Sequence, residues 1–328
     1  MDERLINLAR SLRGESVLVT GASGRIGRRL LSVLARADVA VKAISRNPAP
    51  RFPSSIVHCQ ADLLQSERLA SCLKNVSAVF HLASYAPQPG EPKPEQNAQH
   101  HDVTVVGTAN LMQEAELAGV STLVFASSTR VIDGSNSLYT RAKKQAEQRI
   151  LSTSSGLETT VMRLSPVYGF ATEGSVAQML AAIDAGRFPP IPDCKDKHSM
   201  VHVDDAVQAL LLGMVEGGAA GKIYTVTDMN VYSSREIYEL VCIALGRQPS
   251  VHAVPKWLLT MAALSGSLLE TLTHRRMPLN MDKLHGLCRS AVFDGAPLAE
   301  LGYSPIHSLQ SALPEIVANY RKSNAKIS

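Results

Sequence analysis

A chain of 328 residues, 45% hydrophobic and 19% charged, can bury a substantial core and leaves no room for long disordered tracts. Its formal charge of +4 is spread along the chain, which excludes the basic stripe that nucleic acid requires and suits an anionic small molecule better. Five cysteines, Cys59, Cys72, Cys194, Cys242 and Cys288, form no C-x-x-C pair, so neither a zinc cage nor a disulfide framework is expected, and no His/Cys/Asp set has metal-ligand spacing.

The scattered cysteines make a reducing cytoplasm the expectation, and the first segment, MDERLINLARSLRG, reads as a short amphipathic helix without the apolar run of a secretory signal. Strands follow at 16–20, in VAVKAIS, in SIVHCQAD, at 77–84, at 122–128 and at 159–165, separated by helical patterns that include about 100–118 and 138–152. This alternation predicts an α/β fold with a doubly wound, Rossmann-type parallel sheet. APQPGEPKPEQ, residues 86–96, carries four prolines and can be neither helix nor central strand; after a strand end it suits a lid. Beyond about residue 170 strands thin out, apart from KIYTVTD. The expected division is a dinucleotide-binding domain at 1–165, with segments around 195–227 returning to it. Residues 166–328 then form a smaller, mostly helical substrate lobe. WLLTMAALSGSLLETL, residues 257–272, is too short for a transmembrane span and reads as a packed helical hairpin, with membrane-surface contact as the alternative.

Between the first strand and first helix, VLVTGASGRIGRRLL places Gly21, Gly24 and Gly27. Such glycines let the backbone turn tightly and approach a pyrophosphate, while the helix N-terminus presents free N–H groups. After the second strand an NAD site wants an acid for the ribose hydroxyls. Here AISRNP offers Ser45 and Arg46; an arginine pairs with a 2′-phosphate, and Arg25 could join it. NADP(H) is therefore favoured and NAD(H) remains possible.

In SNSLYTRAKKQAEQ, Tyr139 and Lys143 stand at i and i+4 and share a helix face. Ser127 and Ser128 end a strand, where a hydroxyl can bind a substrate carbonyl. The set predicts hydride transfer at a carbonyl or alcohol carbon, with Tyr139 carrying the proton and Lys143 lowering the pKa of its phenol. Asp204 and Asp205 read as a helix N-cap and first-turn charge. His81 reads as a satisfied core histidine. His100 and His101 open a helix beside the proline loop and read first as ordinary helix residues, with sight of substrate phosphates as the alternative; Arg275 and Arg276 are candidate diphosphate contacts or simple surface charge.

Several motifs in order, TGASGRIG, ADL, HLAS, FASS, YTRAK, RLSPVYG, HVDD and LGYSPIHSLQSAL, make the chain resemble the extended short-chain dehydrogenase/reductases, the NAD-dependent epimerase/dehydratase group, over nearly its whole length. The resemblance implies Ser128, Tyr139 and Lys143 as the catalytic group. It also implies cofactor contacts at Ser23, Arg25, Ile26, Asp62, Leu63, Leu82, Ala83, Ser84, Pro166 and Val167, besides the three glycines and Arg46. Tyr85 and His198 fall at implied substrate positions. The chain departs from the family at Thr104, where an asparagine is common, and before HVDD, where Lys197 and His198 replace an arginine. Within the family it looks most like bacterial enzymes of nucleotide-linked 4-keto-6-deoxy sugars. That implies a nucleotide-sugar reductase, with an NAD-retaining 4-epimerase, a reductase of a lipid-like or polyketide ketone, and a non-catalytic dinucleotide sensor as rivals. A homodimer is likewise implied.

Overall fold

In a computed structural model the described residues are 2–47, 52–85, 98–134, 136–153, 156–192, 194–250, 254–273, 281, 284 and 289–325. The proline-rich 86–96, Cys288, Arg275 and Arg276 lie outside them.

The first half alternates strand and helix as the sequence predicts: β1 (Ser16–Thr20), α2 (Arg25–Arg36), β2 (Ala40–Ser45), β3 (Val57–Gln60), α3 (Ser66–Leu73), β4 (Ala78–His81), α4 (Gly107–Leu117), β5 (Thr122–Ser128), α5 (Leu138–Leu151) and β6 (Glu158–Leu164), after an opening α1 (Asp2–Ala9). Seven strands form one parallel sheet in the order β10, β6, β5, β4, β1, β2, β3, where β10 is Ile223–Val226. The chain therefore winds outward from β1 through β3, crosses back, and winds outward again from β4. That reversal between β1 and β4 opens a crevice at their carboxyl ends, the place where doubly wound sheets hold ligands.

The central strands are buried on both faces, which explains their nearly continuous apolar runs. Period-two alternation divides them: Val17, Val19 and Phe80 pack on one side with Leu30, Leu34, Leu210 and Leu211, while Leu18, Val79, Leu123 and Phe125 pack on the other with Leu69, Leu73, Leu111 and Ile150. Leu210 and Leu211 belong to α7 (Val203–Val215), buried through almost its full length.

Two short parallel strands, β7 (Val167–Tyr168) and β9 (Val201–His202), pair beyond the sheet, and β8 (His198–Ser199) pairs with β11 (Val231–Tyr232). A third apolar cluster joins α6 (Ser175–Asp184), α8 (Ser234–Ala244) and the C-terminal α10 (Leu309–Asn324), through Leu180, Val241 and Leu313 among others. The stretch expected as a hairpin is instead one helix, α9 (Lys256–Thr273). Ser265 turns its hydroxyl onto the carbonyl of Met261, one turn back, so the Ser-Gly-Ser interruption is absorbed within the helix.

Candidate active site

The glycine turn is shaped by what cannot fit. At Gly21 φ is +65°, and a Cβ there would stand 2.6 Å from the amide nitrogen of Ala83. A Cβ on Gly27 would stand 2.4 Å from the carbonyl of Gly21. The end of β1 thus abuts the segment after β4, and α2 abuts the turn, without room for one methyl group. Gly24 is the N-cap of α2 and brings no side chain to its first amides. These amides and the positive end of the helix dipole suit a pyrophosphate. The donor set fits a dinucleotide.

Other expected cofactor residues gather at the same edge of the sheet, because parallel strands all finish there. Ser23, Gly24 and Arg25 are exposed; Ile26, Asp62, Leu82, Ala83, Ser84 and Val167 are half-buried; Leu63 is buried and Pro166 exposed. Arg46, immediately past β2, is exposed, while Ser45 beside it is turned to the carbonyl of Asn47 and the ring of His58. Arg25, expected to assist Arg46, leans elsewhere: its guanidinium lies over the Phe170 ring and 3.8 Å from Glu173.

Ser128 ends β5 and Tyr139 opens α5, whose N-cap Ser137 accepts the amide of Thr140. The Ser128 hydroxyl accepts the amide of Arg130 and acts on the Tyr139 phenol, drawing its pKa downward. One turn along, Lys143 is only 2% exposed; its Nζ donates to the carbonyl of Ala126 at 2.7 Å and lies 4.4 Å from the Phe125 ring centre.

In the chain alone, the surroundings of Tyr139 raise its pKa and do not lower it. Burial pushes the Tyr139 phenol above its ordinary value, against the opposing pull of Ser128 and of the Arg130 guanidinium. Burial likewise brings Lys143 down to about 7, with Glu147 acting in the other direction. The chain's own groups therefore keep Tyr139 protonated, the form that can give a proton to a carbonyl oxygen. The Arg130 guanidinium opposes this rise without overcoming it.

Behind the pair, His81 is fully buried between Thr20 and Thr108, at 2.7 and 2.9 Å. Thr108 donates to the Thr104 carbonyl, so it accepts from His81 Nε2, and Nδ1 accepts from Thr20. Burial takes the imidazole down to about 3 and keeps it neutral. His81 is the core histidine expected. Thr104, in the position where an asparagine is common, accepts the amide of Tyr85. It lies in a π-helical turn, His100–Val106, a widened turn of the kind frequent at functional sites. That turn places the buried His100 with its ring 4.7 Å from Tyr85 and 6.1 Å from Tyr139, whereas His101 is exposed beside Asp102.

His198, an implied diphosphate contact, has its Nε2 engaged by Asp196 at 2.7 Å and Ser234 at 3.2 Å. The cap of α7 is His202 rather than an aspartate: its Nδ1 accepts the Asp204 amide. Asp204 and Asp205 occupy the first turn, and Asp205 accepts the amides of Ile306 and His307.

Folding also brings together His202, Asp204 and His307, whose donor atoms lie within 4.8 Å of one another. A metal fits them poorly. Arg29 takes both Asp204 oxygens, at 2.5 and 3.1 Å, and His202 Nδ1 already accepts a hydrogen bond, which leaves the proton of the neutral ring on Nε2. Burial drops His202 to about 4. The arrangement is an ion pair with two imidazoles against it, lining a cleft of about 680 Å³ beside α2.

Among known proteins, the model of the NAD dependent epimerase/dehydratase family matches residues 17–227. A UDP-glucose 4-epimerase of Vibrio cholerae is 26% identical over 74% of this chain and 80% of its own length. A 3-beta-hydroxysteroid dehydrogenase of Mycolicibacterium neoaurum is 24% identical over 93% of this chain and 91% of its own. The solved structure of a UDP-glucose 4-epimerase from Thermotoga maritima, with UDP-glucose, superposes with a TM-score of 0.75 at 20% identity, covering 94% of this chain and 99% of that one.

Proposed function

Because the chain belongs to the NAD-dependent epimerase/dehydratase family, and is thereby an NAD(P)-dependent enzyme, we propose that it is an NADP(H)-dependent reductase of a ketone on a nucleotide-linked 4-keto-6-deoxy sugar. The observation that carries this reading is a buried Tyr139 phenol, kept protonated by that burial and acted on by the Ser128 hydroxyl that ends β5. Ser128 polarises the substrate oxygen, Tyr139 delivers the proton, and the Lys143 ammonium stabilises the phenolate left behind. A reduced dinucleotide held by its pyrophosphate at the glycine turn would supply the hydride for the carbonyl carbon.

The exposed Arg46, with no acid beside it at the end of β2, supports a 2′-phosphate on the cofactor. It also weighs against an NAD-retaining epimerase. Arg130 is the cation nearest in effect to Tyr139 and suits an anionic substrate. In this reading residues 1–165 with 195–227 hold the dinucleotide, the remainder of 166–328 holds the sugar nucleotide, and two copies pair. A panel of 4-keto nucleotide sugars offered with NADPH and NADH side by side tests it. NADPH consumption with a keto sugar supports the proposal, and interconversion of sugars without added cofactor contradicts it.

A second reading, oxidation or reduction of an apolar alcohol or ketone, draws support from the steroid dehydrogenase relative, which spans nearly the whole chain. Steroid and prenyl ketones in the same panel separate the two.

A further inference from the structure

Helix α9 turns its apolar side to solvent. Trp257 is 68% exposed, Met261 58%, Leu264 50%, and Leu258 and Leu269 46% each. At 100° per residue these five fall on one face, together with Ala262 and Ser265. No charged residue stands on that face: after Lys256 the next charge in sequence is Glu270, on the side of Leu259 and Ala263. Among the described residues, that opposite side packs a small cluster, Leu259, Ala263 and Leu284 with Val254 and Met281, apart from the three larger cores. A surface helix of a water-soluble protein normally has the reverse arrangement.

The flanking charges identify what covers this face. Lys256 begins α9, and His274, Arg275 and Arg276 follow Thr273 directly in the chain. Cations at both ends of an uncharged apolar strip complement an anionic lipid surface. They oppose a second copy, because any two-fold pairing of this helix sets cation against cation at each end. Among the described residues no helix is long and apolar enough to cross a membrane, so α9 would lie along the surface. Its tryptophan suits the headgroup layer. The segment that carries α9 also returns to the active site: Met281 donates its amide to Ser267, and Arg289 donates to the carbonyl of Asp133, in the loop between Ser128 and Tyr139.

We propose that α9 docks the protein onto anionic lipid bilayers, with Trp257, Met261 and Leu264 seated among the headgroups and the catalytic loop held near the membrane. This goes beyond the assigned reaction and is measured without turnover, so the two can fail separately.

Trp257 is the chain's single tryptophan, so its emission reports on α9 alone. The full-length protein is mixed with vesicles of phosphatidylcholine, and with vesicles containing roughly one-third phosphatidylglycerol. A blue shift, quenching by brominated acyl chains and co-flotation are expected with the anionic vesicles, with binding about tenfold weaker to phosphatidylcholine alone. The double variant Met261→Ser, Leu264→Ser should lose at least about tenfold in vesicle affinity. Its melting temperature should be unchanged, because both side chains are exposed. Charge reversal by Arg275→Glu and Arg276→Glu should abolish the preference for anionic lipid. Absence of blue shift and flotation overturns the proposal, as does a double variant that floats like the parent. Sedimentation showing an oligomer that the double variant dissociates would assign the face to a second copy instead.

Discussion

Glu147 and Arg163 form a bidentate ion pair one helical turn beyond Lys143, with Arg163 Nη2 at 2.6 Å from Oε2 and Nε at 3.0 Å from Oε1. Glu147 is 3% exposed and also accepts the Ser127 hydroxyl at 2.5 Å, so α5 is tied to β5 and β6 directly behind Ser128 and Lys143. Its charge raises Lys143 against the downward push of burial. If the Lys143 ammonium assists proton transfer, ketone reduction falls as pH rises through about 7. Glu147→Gln removes the carboxylate, so this limb of the kcat/KM profile moves to lower pH. The same change costs about 2–4 kcal/mol of stability by leaving Arg163 without its counter-charge. A limb that stays in place would remove Glu147 from the tuning of Lys143.

Lys143 itself is held at a cost to the fold. Its folded value of about 7 lies below that of a free lysine, so the unfolded chain binds the extra proton and stability rises with pH from about 7 toward the ordinary lysine range. Below pH 7 the full penalty of a buried ammonium applies. Lys143→Met should therefore stabilise the protein at pH 6 by on the order of 1–3 kcal/mol while abolishing reduction. Thermal melts at pH 6 and pH 9 check the sign: the advantage of the variant shrinks at the higher pH.

Gly27→Ala introduces a Cβ 2.4 Å from the Gly21 carbonyl and 2.8 Å from the Ala22 Cα, backbone atoms that cannot rotate away. The turn must open, with a loss of about 1–3 kcal/mol in stability. Dinucleotide affinity should fall tenfold or more, measured by calorimetric titration. Cofactor binding equal to that of the parent would disconnect this turn from the pyrophosphate.

The positions of the glycine turn after β1, of Ser128 at the end of β5, and of Tyr139 and Lys143 on α5 were legible because each is a local pattern. The turn needs glycine where no Cβ fits, and the i, i+4 spacing needs only a helix. Strand positions were legible for the same reason, since parallel strands buried on both faces read as apolar runs bounded by turns. What escaped were partnerships between distant segments. His307 meets His202 and Asp204 across more than a hundred positions, and Arg163 meets Glu147 from a neighbouring strand. Arg25 had the right residue type beside the glycines, but the Phe170–Glu173 loop that draws it away comes from beyond β7. That burial raises the Tyr139 phenol in the chain alone cannot be read from spacing, because desolvation depends on packing.

In the proposed reading, Arg46 selects the cofactor. Arg46→Asp places an acid where a 2′-phosphate would sit, removing charge-assisted hydrogen bonds worth roughly 1.5–3 kcal/mol. The ratio of kcat/KM for NADPH over NADH should fall by ten- to a hundredfold. A ratio that does not change would place the 2′-phosphate, or the preference, elsewhere.

The reaction assigned to the cleft turns on the Tyr139 phenol. Tyr139→Phe removes one oxygen from a side chain whose ring contacts and helix remain, so NADPH should bind within about threefold of the parent while steady-state reduction of a keto sugar drops on the order of a thousandfold. Reduction within tenfold of the parent, with cofactor binding intact, would contradict proton delivery by Tyr139.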